Sequence, residues 1–328
     1  MAGGRGFVPV IHAATEHRAD ELDTIVAAKA VASTLKRAGF ATRLIVLGPD
    51  LLELDRLRPL RPLAVFNLVD AVKGDGRLAP SVPVRLDELG LSFTGCGTSA
   101  WLDTLSKIST KERLVQNGRP TPAWSEDVSG LDPEASVIIK PVWEHGSLGL
   151  DESSVMRGSE AAAAISARNA KWGTDHFAES FIEGREFNLS LLEGPSGVEM
   201  LSIAEIVFEG LAVAAPKIVG YDAKWAPYSE CYIGTPRRFG LERDEPELAA
   251  LLKQLALCCW SLFGLSGYAR VDFRVDAQSR PFILEVNMNP CLSPDAGFAA
   301  SAAETGLSYD AMVGRIVESS LGALRATA

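Results

Sequence analysis

Asp272, Glu285 and Asn287 are oxygen-bearing side chains at a spacing that could hold a hard divalent cation beside a phosphate chain. Residues 270–275 and 282–287 each alternate apolar and polar with period two, and 276–281 reads as a turn, so the pair is a predicted hairpin. Val271, Phe273, Val275, Phe282, Leu284 and Val286 would share one face, and Arg270, Asp272, Arg274, Glu285 and Asn287 the other. Correct register then sets Asp272 beside Glu285, with Asn287 one pleat further on. A solvated hairpin of mixed charge would alternate in the same way. The Asn-Met-Asn-Pro-Cys run from Asn287 to Cys291 tips the reading toward a site, because it forces an ordered turn beside the carboxylates.

Two other stretches carry chemistry. Lys140 ends the apolar run 137–139, an unusual place for an ammonium, which is costly to bury unless paired. The loop 143–149 that follows is glycine-containing, and such loops let backbone N–H groups approach phosphate oxygens; a plain surface turn has the same composition. Glu16 lies in the loop after the first apolar run, where sheets of this kind meet ligands, though a surface carboxylate ahead of a helix would also fit.

These residues need a scaffold of sheets and helices. Strand, helix and strand follow one another at 7–13, 20–38, 42–47 and 63–68, then a helix at 84–89 and a short strand at 91–95, which predicts a parallel α/β domain. A single helix is expected over 99–117, carrying Lys107 and Lys111. Beyond it come a strand at 137–141, a helix at 160–171 and two strands joined by a turn within 177–187. Further strands follow at 188–192 and 199–206, an irregular segment at 213–226, and long helices at 245–263 and 309–324. The expected division is an N-terminal domain over 1–97, a central lid-bearing subdomain over 98–184 and a C-terminal antiparallel-sheet subdomain over 185–328.

Bulk properties narrow the class. With 328 residues, 47% of them apolar and 23% charged, the chain is an ordinary globular one. Its net charge of −10 argues against nucleic-acid or anionic-membrane partners. Five scattered Cys without a Cys-x-x-Cys fit reduced thiols, and the first ten residues lack a signal-peptide core, so a cytoplasmic protein is expected. The longest apolar run, 256–269, is shorter than the roughly 20 residues of a membrane span. Four His without a His-Glu-x-x-His argue against a zinc enzyme, and no Walker lysine loop is present. The Gly-x-Gly-x-x-Ala at 95–100 lacks an acid near 20 residues on, and a turn entering a helix explains it.

Taken in order, several motifs resemble the ATP-grasp superfamily and, within it, the D-alanine–D-alanine ligases. They are LSFTGCG at 91–97, Ser106-Lys107 with Lys111, IIKP at 138–141, EHGSLG at 144–149, ESFIEGREF at 179–187, YDAKW at 221–225, RVDF at 270–273 and EVNMNP at 285–290. The resemblance implies an ATP-grasp fold and an ADP-forming ligase that makes an amide bond through an acyl phosphate. It implies ATP and two Mg²⁺ ions, Mn²⁺ being an alternative, and small-molecule carboxylate and amine substrates on a homodimer. Lys107, Lys140 and Lys224 would bind the phosphates, and Glu144, Gly146 and Ser147 would belong to the lid over them. Glu179 with the backbone at Phe181 and Ile182 would hold adenine, and Glu186 the ribose. Asp272, Glu285 and Asn287 would carry the metal. Arg270, helped by backbone N–H near Cys291, would stabilise the tetrahedral intermediate. Cys291 itself stands where the family has Gly, and packing or chemistry are both open to it.

The departures fall on the substrate side. His145 and Gly146 replace the family's Gly and first Ser in the lid, Trp225 replaces Tyr, Asp70 replaces a His, and Ala296 stands where a Ser meets the second substrate's carboxylate. Glu16, His145, Trp225, Asn289 and Asp295 would then line a larger, indole-rich and more acidic pocket. The expected function is a carboxylate–amine ligase for a pair other than two D-alanines, in specialised metabolism. D-Alanine–D-alanine ligase itself is the alternative, and a catalytically silent ATP-binding regulator the third.

Overall fold

Apolar strands alternating with amphipathic helices build three sheets in this computed structural model, which describes residues 5–15, 18–144, 146–210 and 215–326, with side chains through 321. The first sheet is parallel, in the order β2 (Leu44–Leu47), β1 (Val10–Ala13), β3 (Phe66–Asn67). It is joined by α1 (Ala19–Arg37), α2 (Leu52–Asp55) and α3 (Ser81–Glu88). The expected strand at 91–95 does not form. Phe93 makes only a single parallel bridge to Val65, because the chain leaves the sheet edge at once.

The single helix expected over 99–117 is two, α4 (Thr98–Thr104) and α5 (Lys107–Gln116). Ser106 is the cause: its backbone is extended and its hydroxyl accepts from Ser109 N at 3.3 Å, restarting the helix as an N-cap does. The break puts Lys107 at the first position of α5, its own N–H bonded to Val142 O at 3.0 Å. The second sheet has the antiparallel order β4 (Trp124–Ser125), β7 (His176–Ser180), β5 (Ser136–Pro141), β6 (Val155–Arg157), backed by α6 (Gly158–Trp172).

The third sheet is antiparallel and carries the chemistry. Its order is β11 (Arg237–Arg238), β10 (Ala204–Ile206), β8 (Arg185–Gly194), β12 (Tyr268–Val275), β13 (Pro281–Asn287), with β9 (Gly197–Met200) paired to β8. The short helices α7 (Tyr221–Trp225), α8 (Glu230–Ile233) and α9 (Leu241–Asp244) lie in its connections. Period two divides the faces. Phe187, Leu189, Val271, Phe273 and Val286 are fully buried against α10 (Pro246–Leu262), through Leu252, Ala256 and Cys259. The other face carries Glu186, Asn188, Arg270, Asp272, Glu285 and Asn287.

Register across the β12–β13 hairpin is as the alternation predicts at its open end: Asp272 pairs with Glu285 and Arg270 with Asn287. Toward the turn it is not. A β-bulge skips Leu284, so Phe273 pairs with Ile283 and Arg274 with Phe282. Ile283 takes the core position, and Leu284 lines the polar-face cleft instead. The reason is a third partner for the strand: Ile283 N donates to Pro120 O at 2.9 Å, and Thr121 Oγ1 donates to Ile283 O at 2.8 Å.

Two further helices, α11 (Gly297–Glu304) and α12 (Tyr309–Ala326), close the molecule. Met312, Val313, Ile316 and Val317 of α12 share one core with Ala28, Val31 and Leu35 of α1 and with Leu192 and Tyr268 of the third sheet. Burial of each such large side chain stabilises by about 1.5–3 kcal/mol, so the first and third sheets are fused through apolar surface rather than tethered.

The glycine motif at 95–97 belongs to the same junction. Gly267 has φ +67°, and a Cβ there would lie 2.9 Å from Gly95 Cα. Ser266 Oγ donates to Gly95 O at 3.1 Å, and Cys96 Sγ to Ser266 O at 3.3 Å. Gly267→Ala adds both left-handed strain and a backbone clash. It is expected to cost at least on the order of 1–3 kcal/mol, read as a lower urea midpoint with an unchanged m-value.

Candidate active site

A cleft runs along the polar face of the third sheet, bordered by Glu144, by residues 146–150 and by the segment 215–226. One end is a narrow cavity of about 90 Å³ lined by Lys107, Lys140, Glu179, Phe181, Ile182 and Leu284, among others. The other is a cavity of about 200 Å³ lined by Asp20, Asp23, Asp70, Arg237, Arg270 and Cys291, among others, with Trp101, Trp143 and Trp225 supplying indole surface. Glu144, Glu186, Lys224 and Asp272 border both.

Lysine burial at the narrow end is resolved by one carboxylate. Glu179 is 1% exposed, and its two oxygens lie 2.6 Å from Lys140 Nζ and 2.6 Å from Lys111 Nζ. Burial alone would push the Glu179 carboxyl up, but Lys111 and Lys140 outweigh it and hold it below its ordinary value. Burial lowers Lys111 to about 8 despite that pairing. Lys107 Nζ donates to Glu144 O and lies 3.6 Å from Glu285 Oε2; burial lowers its pKa as well. Glu186 pairs with Arg274 at 2.9 Å, and the buried Arg274 also bonds Gly184 O and Lys217 O.

The carboxylates of the open hairpin end meet at the middle of the cleft. Arg270 Nε and Nη2 fork onto the two oxygens of Asp272 at 2.7 and 2.8 Å, and Asn188 Nδ2 adds a third bond at 2.9 Å. Burial alone would lower Arg270, but Asp272 and then Glu285 raise it, so it stays charged. Asn287 Oδ1 accepts from Asn289 N at 2.9 Å, keeping the turn ordered. Two carboxylates and an amide oxygen on neighbouring strands suit a hard cation that keeps several waters and phosphate oxygens as its other ligands. Among the described residues, no group of three or more His, Cys, Asp or Glu side chains gathers into a softer metal site.

The wider end is stitched closed. Trp225 Nε1 donates to Gly146 O at 2.8 Å and Ser147 Oγ to Val219 O at 3.0 Å, tying the loop to the segment above the sheet. Tyr221 OH donates to Asp20 Oδ1 at 2.8 Å, tying that segment to α1. Asn289 spends its side chain on Tyr268 OH and Val69 O. Cys291 Sγ donates to Asp23 Oδ2 at 2.8 Å, and Ser293 Oγ donates to the same oxygen at 2.6 Å. Burial, then the charge of Asp23, pushes the Cys291 thiol up to about 12, so it is a neutral donor and not a nucleophile. Asp295 is exposed at the rim. Glu16 and His145 lie outside the described residues.

Sequence reasoning gave no role to Arg18, Asp20, Asp23, Arg237 or Arg274. Arg274 shares the period-two face of Asp272 and was within reach of that pattern. The first three sit at the start of α1, where a charged turn looks like any helix start, and Arg237 is in no motif.

The family model described as D-ala D-ala ligase C-terminus matches residues 132–318. An uncharacterized protein of Sinorhizobium fredii, y4sG, is 30% identical over 301 residues, 89% of this chain and 86% of that one. A D-alanine–D-alanine ligase of Chromohalobacter salexigens is 27% identical over 310 residues, 91% and 90% of the two chains. In structure, the D-alanine–D-alanine ligase of Bacillus anthracis complexed with ATP superposes with a TM-score of 0.76 at 19% identity, covering 98% of this chain and 100% of that one. The fold is therefore of the ATP-grasp class. The chain belongs to the D-alanine–D-alanine ligase family and is an ATP-dependent, ADP-forming ligase of small molecules. No helix among the described residues is long and apolar enough to cross a membrane.

Two predictions test the electrostatics. Glu179→Gln strands two buried ammonium groups and is expected to cost about 3–5 kcal/mol, measured by urea denaturation, with weakened ATP binding. Asp70 lines the cavity with its side chain exposed; partial loss of water around it, then the charge of Asp20, raises its carboxyl to about 7. Folding raises this pKa, so the folded state binds the extra proton between about pH 4 and 7, and the ionised Asp70 costs stability above that window. Asp70→Asn should therefore raise Tm at pH 8 and give no gain below pH 4.

Proposed function

We propose that the protein joins the carboxylate of one small molecule to the amine of another, with D-alanine in both roles as the names of its relatives suggest. One observation carries the reaction class: Arg270, Asp272, Glu285 and Asn287 occupy paired positions on one sheet face, between a lysine-lined cavity and an acid- and arginine-lined one.

In this reading, Lys107, Lys140 and Lys224 take the phosphates of ATP, and Phe181, Ile182 and Leu284 flank the base. Asp272, Glu285 and Asn287 would hold Mg²⁺, which supplies charge neutralisation on the phosphates when bound. The donor carboxylate attacks the γ-phosphorus; the new C(O)O–P bond forms as the bond to ADP breaks. The amine nitrogen then attacks the acyl carbon, phosphate leaves, and the nitrogen loses a proton. Arg270, turned from Asp272, would meet the oxyanion of that second step. The bonds from Trp225 and Ser147 across the cleft keep water from the acyl phosphate. Glu179 acts through Lys140, since both its oxygens already have lysine partners. Five free thiols support a reducing, cytoplasmic setting, and family membership supports a homodimer.

A pair other than two D-alanines is the second reading. The observation that favours it is the acid wall of Asp20, Asp70 and Glu144, where a more cationic amine would be at home.

Phosphate release from ATP and Mg²⁺, with D-alanine alone and against an amine panel, separates the two. Dipeptide with D-alanine alone supports the first reading; product only with another pair supports the second. Arg270→Ala is expected to cut turnover by at least about 100-fold with ATP binding retained. Turnover close to wild type in that variant would remove Arg270 from the mechanism.

A further inference from the structure

The turn after β13 is held by its side chains and leaves its backbone donors unused. Asp23, in the second turn of α1, accepts from Cys291 Sγ at 2.8 Å and from Ser293 Oγ at 2.6 Å, both on Oδ2. The two donor atoms stand 2.9 Å apart, and Ser293 N closes back onto Cys291 Sγ at 3.4 Å. From the other side, Tyr309 OH at the start of α12 donates to Leu292 O at 2.7 Å. Residues 291–293 are thus clamped between two helices, with Ser293 and Leu292 buried. Yet neither the Cys291 nor the Leu292 N–H has an acceptor among the described residues. Buried backbone N–H groups without a partner are rare in folded proteins. Both residues line the wider cavity, together with Asp23 and Arg270.

We propose that Asp23 is a positioning residue for amide formation. Through Cys291 and Ser293 it fixes the turn, so that the two N–H groups and Arg270 converge on the oxygen of the acyl group under attack. This rests on the ligase reading above. As the amine nitrogen attacks, the C=O π pair moves onto that oxygen; it returns as phosphate leaves, and the nitrogen gives up a proton. Donors already in place stabilise that charge without reorganising, whereas a misplacement of about 1 Å costs on the order of 100-fold. Pro290 has no N–H, so the donors this turn offers begin at Cys291. A carboxylate suits the task because it only accepts, which turns both the thiol and the hydroxyl proton toward α1. Neither side chain then competes for the oxyanion. The resemblance places Gly at 291, which has no side chain for a helix to hold. The clamp from α1 is therefore a property of this chain, in which Asp23 and Cys291 occur together.

Two measurements test it. The first is coupling. With ATP, Mg²⁺ and D-alanine, or with whichever pair the amine panel yields, phosphate and amide are counted in one reaction. Wild type should release them in equal amounts. Asp23→Ala should slow amide formation by on the order of 10- to 100-fold with the KM for ATP unchanged. Phosphate should then exceed amide, because the acyl phosphate still forms and is lost to water. The double variant Cys291→Ala, Ser293→Ala should behave alike, and adding Asp23→Ala to it should have no further effect. The second measurement is thiol reactivity, which needs no turnover. Cys291 should alkylate with iodoacetamide on the order of tenfold faster in Asp23→Asn than in wild type, read by peptide mass spectrometry. The buried Cys96 and Cys259 should stay unchanged and show that the variant is folded. Phosphate and amide falling together in Asp23→Ala, or a loss that adds in full to that of the double variant, shows a merely structural role and overturns the proposal. Wild-type activity in Asp23→Ala or an unaltered Cys291 rate overturns it too. A wild type that forms no amide with any pair overturns the ligase reading, and this inference with it. The thiol rates, independent of turnover, keep the two failures apart.

Discussion

One buried carboxylate between two lysines holds the nucleotide end of this protein together. Glu179 joins β7 to β5 through Lys140 and to α5 through Lys111, and Lys111 reaches on to Thr121, which grips β13 at Ile283. The second sheet, α5 and the third sheet are thereby keyed to each other under the cleft floor. Two ammonium groups on one carboxylate leave an excess positive charge in a low-dielectric place. A polyphosphate is the natural complement, so the same interaction that sets the geometry also sets the ligand. The β-bulge at Leu284 follows from it, because the strand bends to meet residues 120 and 121.

The rest of the cleft sorts charge by position. Lysines gather where phosphate belongs, a carboxylate pair with a forked arginine occupies the middle, and acids on α1 face arginines on β11 and β12 at the far end. Period-two pairing across five strands does most of this. A side chain facing the cleft on one strand places its partners on the next there too, and the alternate residues fill the core against α10.

Much of this was legible in the chain. The strand alternation around Asp272 and Glu285 carried its own register, and the order of short motifs carried the fold. What could not be read was tertiary. Ser106 looks like any helical serine until its hydroxyl caps a new helix, and the bulge needs Pro120, far away in sequence. The expectation of an acidic pocket was half the picture, since Asp20, Asp70 and Glu144 do line the cavity but Arg237 faces it too, from a two-residue strand with no pattern to announce it. Cys291 could not be placed until Asp23 was seen beside it. Once it is, the thiol's role is fixed by burial and a neighbouring charge, which no local sequence reveals.

The shared core of α1 and α12 bears on how the chain is made. Helix α1 emerges from the ribosome well before α12, and its apolar stripe at Ala28, Val31 and Leu35 finds partners on that later helix. The N-terminal sheet can assemble beforehand and covers part of that stripe with Val10, Phe40 and Phe66, but the part that meets α12 waits for it. Its final docking is therefore a late step, and the exposed helix is a natural client for a chaperone until then.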